Sequence, residues 1–308
     1  MTKFSVIIPL YNCEPFISEL TERIRKNLSE ISDNFEIIYV NDSSPGDDWN
    51  LVEGESKKDE RIKGINLSRN FGQHYAISAG LQHAKGEWVY VMDGDLQDLP
   101  EEMVKLYNNT EGDYKIVLAQ RKIRKDNLLK RASSRLFYRL FSYLTDIRLD
   151  SSVANFGIYH EKVIEYFLKM QDQVRYFPTM IQWVGFKKKY VPVEHGERAE
   201  GRSSYSYRSL FKLAFNNIIA FSSKPLRLTI TLGMVISLTS FITGVYYLIN
   251  YLLGNITQMG FTSLILSIWF LGGIVIMILG MLGVYIGKIF DKVKNRPMYI
   301  IENTINIE

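Results

Sequence analysis

The sequence predicts an α/β fold, a mostly parallel sheet covered on both faces, followed by two membrane-crossing helices. Three observations carry this. Short β-rich segments alternate with helical patterns through the first 120 residues, the order that builds a parallel sheet. Polar clusters close four of those segments, and ligands in such sheets bind beyond the carboxyl ends of the strands. Near Leu226 the composition turns into two long runs almost free of charge, each long enough to span a bilayer.

The strands are expected at residues 3–9, 35–41, 62–67, 87–92 and 114–120. Between the first two, Phe16, Ile17, Leu20, Ile24, Leu28 and Ile31 recur at helical spacing. Residues 71–84 and 100–107 fit further helices. With 308 residues, 46% apolar and 23% charged, the chain can form one sizeable soluble domain and something more. Cys13 is its single cysteine, which excludes an intramolecular disulfide and suits a reducing compartment. It reads as a small buried apolar residue. The amino terminus runs straight into an apolar strand, so no signal peptide is expected.

From residue 226 to 253 the only charge is Arg227, and from 261 to 286 there is none. As helix, each run reaches roughly 40 Å, against a hydrocarbon core of about 30 Å. A buried core helix is the competing reading, and two such runs disfavour it. Arg202, Arg208, Lys212, Lys224 and Arg227 precede the pair, Lys288, Lys292, Lys294 and Arg296 follow it, and the connecting GNITQMG is uncharged. The positive-inside rule then puts both flanks, both termini and the large amino-terminal domain in the cytoplasm, at the inner (plasma) membrane. Gly283 and Gly287, four apart in the second run, permit close helix contact.

The stretch VYVMDGDLQDLP, residues 89–100, carries the most chemistry. Asp93 and Asp95 end an apolar strand, where buried unpaired charge would be too costly. Gly94 between them leaves room for a close approach to the backbone. The expected occupant is a hard divalent cation that keeps waters and shares itself with substrate phosphates. An EF-hand would need Gly where Asp98 stands and Glu where Val104 stands. A helix-capping acidic turn is the blander alternative. The other polar clusters are Pro9-Leu10-Tyr11-Asn12, Asn41-Asp42-Ser43-Ser44 and Ser68-Arg69-Asn70, all expected on the same rim. No G-x-G-x-x-G, Walker A, G-x-S-x-G or zinc-spaced His/Cys pattern occurs. His74, His83, His160 and His195 are scattered and read as surface or structural.

Residues 126–145 mix Lys130, Arg131, Arg135 and Arg139 with leucine and phenylalanine, the make-up of a helix lying in a bilayer interface. A second such piece, 207–221, leads into the first apolar run. Nucleic-acid binding is the competing reading of a basic–aromatic stretch; the neighbouring spans favour lipid and no nucleic-acid partner.

The rim motifs VIIPLYN, YVNDSS, LSRNFGQ and DGDLQDLP, then a basic segment, an Arg-x-x-Gly-x-Ser and membrane helices, occur in that order. Together they resemble the family 2 glycosyltransferases of GT-A fold, a Rossmann-like sheet, in the branch that loads polyprenyl phosphates such as dolichyl or undecaprenyl phosphate. The likeness covers nearly the whole chain. It implies a nucleotide-sugar pocket lined by Pro9, Tyr11, Asn12 and Glu14, with Val40 and Asp42 at the base and Arg69, Asp93, Gly94 and Asp95 alongside. It implies Mg2+ or Mn2+ on Asp93, Asp95 and Gln97, and catalytic roles for Asp93, Asp95, Arg121 and Arg198 around the diphosphate. Lipid-phosphate contacts fall to Arg121, Arg124, Arg131, Arg135 and Asn155. Self-association through the spans is also implied.

Two positions depart from the branch. Ser204 stands where relatives carry Lys, and Asn155 where many bacterial relatives carry an Asp regarded as a base. A phosphate monoester has a second pKa near 6 and is already mostly dianionic at neutral pH, so it needs no base before attack. The resulting expectation is an inverting, metal-dependent transfer of one sugar from a nucleotide-diphosphate sugar to polyprenyl phosphate. The rivals are transfer to a hydroxyl acceptor on lipid or polysaccharide, and a non-catalytic nucleotide-sugar-binding membrane protein. The expected division is a GT-A domain over 1–206, a juxtamembrane segment over 207–225, a two-helix domain over 226–290 and a cytoplasmic tail over 291–308.

Overall fold

Two strands buried along their whole length set the centre of the sheet. In the computed structural model, which describes residues 2–121, 142–143, 153–170, 172, 175–196, 222, 224–253 and 260–307, β1 (Phe4–Leu10) and β2 (Phe35–Asn41) are buried along their whole length, as strands covered on both faces must be. The helix between them is α1 (Ile17–Ser29). It turns Ile17, Leu20, Ile24 and Leu28 into the core, the spacing that the sequence displays. Then come α2 (Asp48–Lys58), β3 (Ile62–Leu67), α3 (Gln73–His83), β4 (Trp88–Val91), α4 (Glu102–Tyr107) and β5 (Ile116–Arg121). After the undescribed segment follow β6 (Val153–His160), α5 (Glu161–Lys169), α6 (Phe177–Trp183) and β7 (Lys188–Val193). Two long helices, α7 (Lys224–Leu252) and α8 (Phe261–Val293), and a last strand β8 (Ile301–Ile305) complete the described chain.

The described strands form one sheet in the order β7-β5-β6-β4-β1-β2-β3-β8. Strands β1 to β4 run parallel, as do β5 and β7, while β6 opposes both β4 and β5 and β8 opposes β3. The five expected strands are present, two with the expected bounds and three with ends moved by one or two residues. The segment expected as a tail contains β8, which covers the edge that β3 would otherwise leave open. Five residues with three consecutive polar ones between two isoleucines, IENTI, give little periodic signal, so the pairing came only from the tertiary structure.

Helix α3 lies against the sheet at Gly80, where an added Cβ would stand 2.5 Å from Ile7 Cγ2 and 3.0 Å from Val40 Cγ2. Under the opposite end of the strands, the buried Glu36 carboxylate accepts from Ser5 Oγ, Lys63 Nζ and the Lys85 N–H. That saturation is what lets a charge sit in the sheet. Two of the histidines serve packing: the His74 ring meets Tyr176 edge-on at 4.7 Å, and His160 accepts from the Lys162 N–H at the start of α5. Burial pushes the His74 pKa down to about 4.

The described residues divide into two compact units, one holding the sheet with residues 297–307 and the other holding α7 and α8. Within the second unit, Lys224–Thr243 and Ser267–Val293 are long and apolar enough to cross a membrane. Their apolar side chains are almost all exposed. Tyr285 donates to the Ser222 carbonyl at 2.9 Å. Among the described residues, nothing lies within 4 Å of a Cβ built at Gly283 or Gly287.

Two outcomes follow from this packing. Gly80→Val should cost about 1–3 kcal/mol by overpacking α3 against β1 and β2, read as a lower unfolding midpoint of the purified protein. His74 resists a proton that the unfolded chain accepts below about 6.5, so stability should fall as pH drops from 6.5 toward 4. His74→Gln should flatten that part of the profile.

Candidate functional site

Parallel strands deliver their following loops to one end of the sheet. Register puts Pro9 beside Val40 and Leu10 beside Asn41, and Ile7 beside Val91, two residues before Asp93. Strand β6 pairs Gly157 with Val91, so Asn155 lies on β6 two residues before that pair, at the same end of the sheet. The four polar clusters therefore share a rim, and Asn155 joins them from the antiparallel neighbour.

Strain is concentrated on the same rim. Asn12, Ser43 and Leu96 have φ of 56°, 54° and 57°, each in the loop after a different parallel strand. Left-handed conformations in non-glycine residues persist only where surrounding contacts hold them. Here those contacts are explicit. Buried Asp48 accepts from the Cys13 N–H at 2.7 Å and from Ser44 Oγ at 2.9 Å, and Ser44 Oγ accepts from the Asn12 N–H at 2.9 Å. Glu14 accepts from the Asp47 N–H at 3.3 Å. The loops after β1 and β2 are thereby riveted to each other, with Tyr11 left 49% exposed between them and the solvent.

Asp42, which the resemblance places at the base, meets main-chain donors of the neighbouring loop. It is only 2% exposed, and its two oxygens accept from the Phe71 N–H at 2.7 Å and the Gly72 N–H at 2.8 Å. Burial pushes its carboxyl above the ordinary range, against the pull of those two bonds. A ring N–H of a bound base would have to share oxygens already in use. What Asp42 visibly holds is the loop carrying Arg69, whose guanidinium stacks over the Phe71 ring at 4.6 Å. Val40 lies wholly buried in β2, beneath the rim rather than on it.

The acidic loop after β4 is organised by its own third carboxylate. Asp98, 2% exposed, accepts from the Asp93 N–H at 3.2 Å, while Asp95 accepts from the Gln97 N–H at 3.2 Å. Asp93, Asp95 and Gln97 remain partly exposed. The close approach at Gly94 is made by the chain itself: a Cβ there would meet Leu10 Cδ2 at 2.9 Å and Cys13 Sγ at 3.1 Å. Burial, with Asp48, Asp95 and Asp93 nearby, pushes the Cys13 thiol up to about 12, so it stays protonated and inert. Gly196 donates its N–H to the Gln97 carbonyl at 2.9 Å, and His195 bridges to Asp98.

Among the described residues, no group of three or more His, Cys, Asp or Glu side chains forms a ready cage for a metal. Two carboxylates and one amide oxygen within five residues are instead a partial shell of hard donors. That set fits a Mg2+ or Mn2+ ion that draws its remaining ligands from water and substrate phosphates. Arg121 ends β5; its side chain, with Arg124, Arg131, Arg135 and Arg198, lies outside the described residues. Sequence reasoning missed Asp48, Gln73 and Gly196 and used Asp98 only to dismiss an EF-hand. Asp98 had a signal, as a third acid in one short run; Asp48 and Gln73 act across 35 and 20 residues of separation, which no local pattern reveals.

Comparisons with known proteins bear on the family and the fold. The family model described as Glycosyl transferase family 2 matches residues 5–176. An uncharacterised glycosyltransferase of Bacillus subtilis is 34% identical over 307 residues, covering 99% of this chain and 95% of that protein. The SfII prophage-derived bactoprenol glucosyl transferase of Shigella flexneri is 31% identical over 303 residues, covering 98% of each. Among solved structures, mannosyl-3-phosphoglycerate synthase from Rubrobacter xylanophilus matches with a TM-score of 0.50 at 12% identity, over 74% of each chain. That last likeness concerns the fold alone, a GT-A-like mixed sheet with most strands parallel. With a family match over more than half of its 308 residues and relatives aligned end to end, the chain belongs to glycosyl transferase family 2.

Proposed function

We propose that this glycosyltransferase moves one sugar from a nucleoside diphosphate donor, a UDP-hexose or its N-acetyl or amino derivative, to polyprenyl phosphate with inversion. The observation that carries the reading is the pair Asp93 and Asp95, partly exposed at the carboxyl end of β4 on the rim shared by four parallel strands. The acceptor is supported by relatives named bactoprenol glucosyl transferase, aligned along nearly the whole chain. The two apolar helices support an enzyme that meets its acceptor at a membrane. The basic flanks of both runs support a cytoplasmic orientation of the sheet domain.

Chemically, the acceptor phosphate attacks the anomeric carbon as the bond from that carbon to the diphosphate oxygen breaks. The nucleoside diphosphate leaves with the bonding pair, and attack from the opposite face inverts the centre. Because the acceptor is mostly dianionic at neutral pH, proton removal is not the difficulty; alignment and leaving-group charge are. Asp93, Asp95 and Gln97 would hold a Mg2+ or Mn2+ ion, which when bound supplies positive charge to the departing diphosphate. Asn155, uncharged and on the strand beside β4, would repel the incoming anion less than an aspartate. Arg121 and Arg198 are assigned to the phosphates, and Arg124, Arg131 and Arg135 to the lipid phosphate, on sequence grounds.

Mixing sugar donors with undecaprenyl phosphate and Mg2+ or Mn2+, then reading nucleotide release and product mass, tests the reading directly. Asp95→Ala should lower turnover by about 100-fold or more with the protein still folded; activity that persists in chelator would refute the metal assignment. Charge reversal at both Arg131 and Arg135 should raise the apparent KM for lipid at least about 10-fold, since each contributes roughly 1 kcal/mol near an anionic surface. Nucleotide affinity should stay unchanged.

A further inference from the structure

Gln73 is the first residue of α3, and its side-chain Nε2 lies 2.7 Å from Asp93 Oδ1. We propose that Gln73 is a positioning residue that fixes the Asp93 carboxylate for the cation shared with the sugar donor. The inference rests on the function proposed above and adds a residue to it. A carboxylate only accepts, so the amide must turn its N–H rather than its carbonyl toward Asp93.

The anchoring behind Gln73 is continuous. Gly80 seats α3 on β1 and β2, with space for no Cβ. Asp42 grips the Phe71 and Gly72 N–H groups just before the helix begins. Gly72 adopts φ of 104°, a turn that side chains other than glycine's rarely make. Asp93 is held from its other side, where its own N–H is bound by Asp98. The carboxylate is thus restrained through both backbone and side chain, and the side-chain restraint comes from a different strand's loop.

Neutrality of the partner matters as much as its reach. A lysine at position 73 would pair with Asp93 and compete with a cation, and a glutamate would repel it. The glutamine amide donates one hydrogen bond and leaves the charge of the site intact. This is the arrangement by which outer partners orient a metal-ligating group, and losing such a partner typically weakens metal binding or activity by about 10–100-fold.

The test uses the full-length protein in detergent, with Mn2+ titrated at fixed UDP and free Mn2+ followed by electron paramagnetic resonance. Gln73→Leu should shift the Mn2+ midpoint upward by about 10-fold, and Gln73→Glu, close to the native shape, by at least as much. Gln73→His, which keeps an N–H at similar reach, should recover most of the loss. Melting temperatures should not follow these shifts, as they would if the residue only supported the fold. If Gln73→Leu does not fold, Gln73→Glu decides alone, and a wild-type midpoint in the folded variant overturns the proposal. Wild-type protein without Mn2+-dependent UDP binding would remove the proposed metal site itself, and the positioning role with it.

Discussion

Buried carboxylates that accept backbone N–H groups hold the rim of this sheet together. Asp42, Asp48 and Asp98 are 2%, 0% and 2% exposed. Each grips main-chain donors in a loop: Asp42 the segment after β3, Asp48 the segment after β1, and Asp98 the acidic loop itself. An ionised carboxylate removed from water is costly unless such bonds compensate it. Asp48 binds Cys13 and Ser44, the residues that follow strained Asn12 and Ser43, and Asp98 holds the chain before Leu96. Without this frame, loops from separate strands would have no common geometry to offer a ligand.

The carboxylates assigned to chemistry differ from the framing ones in exposure rather than in type. Asp93 and Asp95 lie three to five residues from Asp98, yet they stay partly open while Asp98 is closed. Between them Gly94 is buried against Leu10 and Cys13, which leave no room for a Cβ. The division fits a site that contributes only part of a cation's shell and leaves the rest to water and phosphate. Fixing the few protein ligands in advance lowers the reorganisation needed when charge develops on a leaving group.

The chain also closes a topological circuit. After two helices long enough to cross a membrane it returns to the first unit, and β8 adds to β3 as an antiparallel edge. The Ser68 N–H bonds to the Ile300 carbonyl, and Asn306 donates to the carbonyls of Ser56 and Ile62. The sheet domain is therefore completed by residues that follow the apolar helices, and its open edge is protected by the same pairing.

Periodicity and composition determined the strand–helix alternation, the parallel character of the sheet, the two apolar helices and the rim on which polar clusters gather. These are legible because apolar spacing records which faces are buried, and parallel strands point their following loops the same way. The order of motifs reached the family. What only the tertiary structure decided was which acids frame the site and which face it, the employment of Asp42 as a loop clamp, the bond from Gln73 to Asp93, and the return of β8. Each depends on backbone donors or side chains brought together from distant positions. A lone Asp, Gln or five-residue polar strand carries no local pattern that says what will stand beside it.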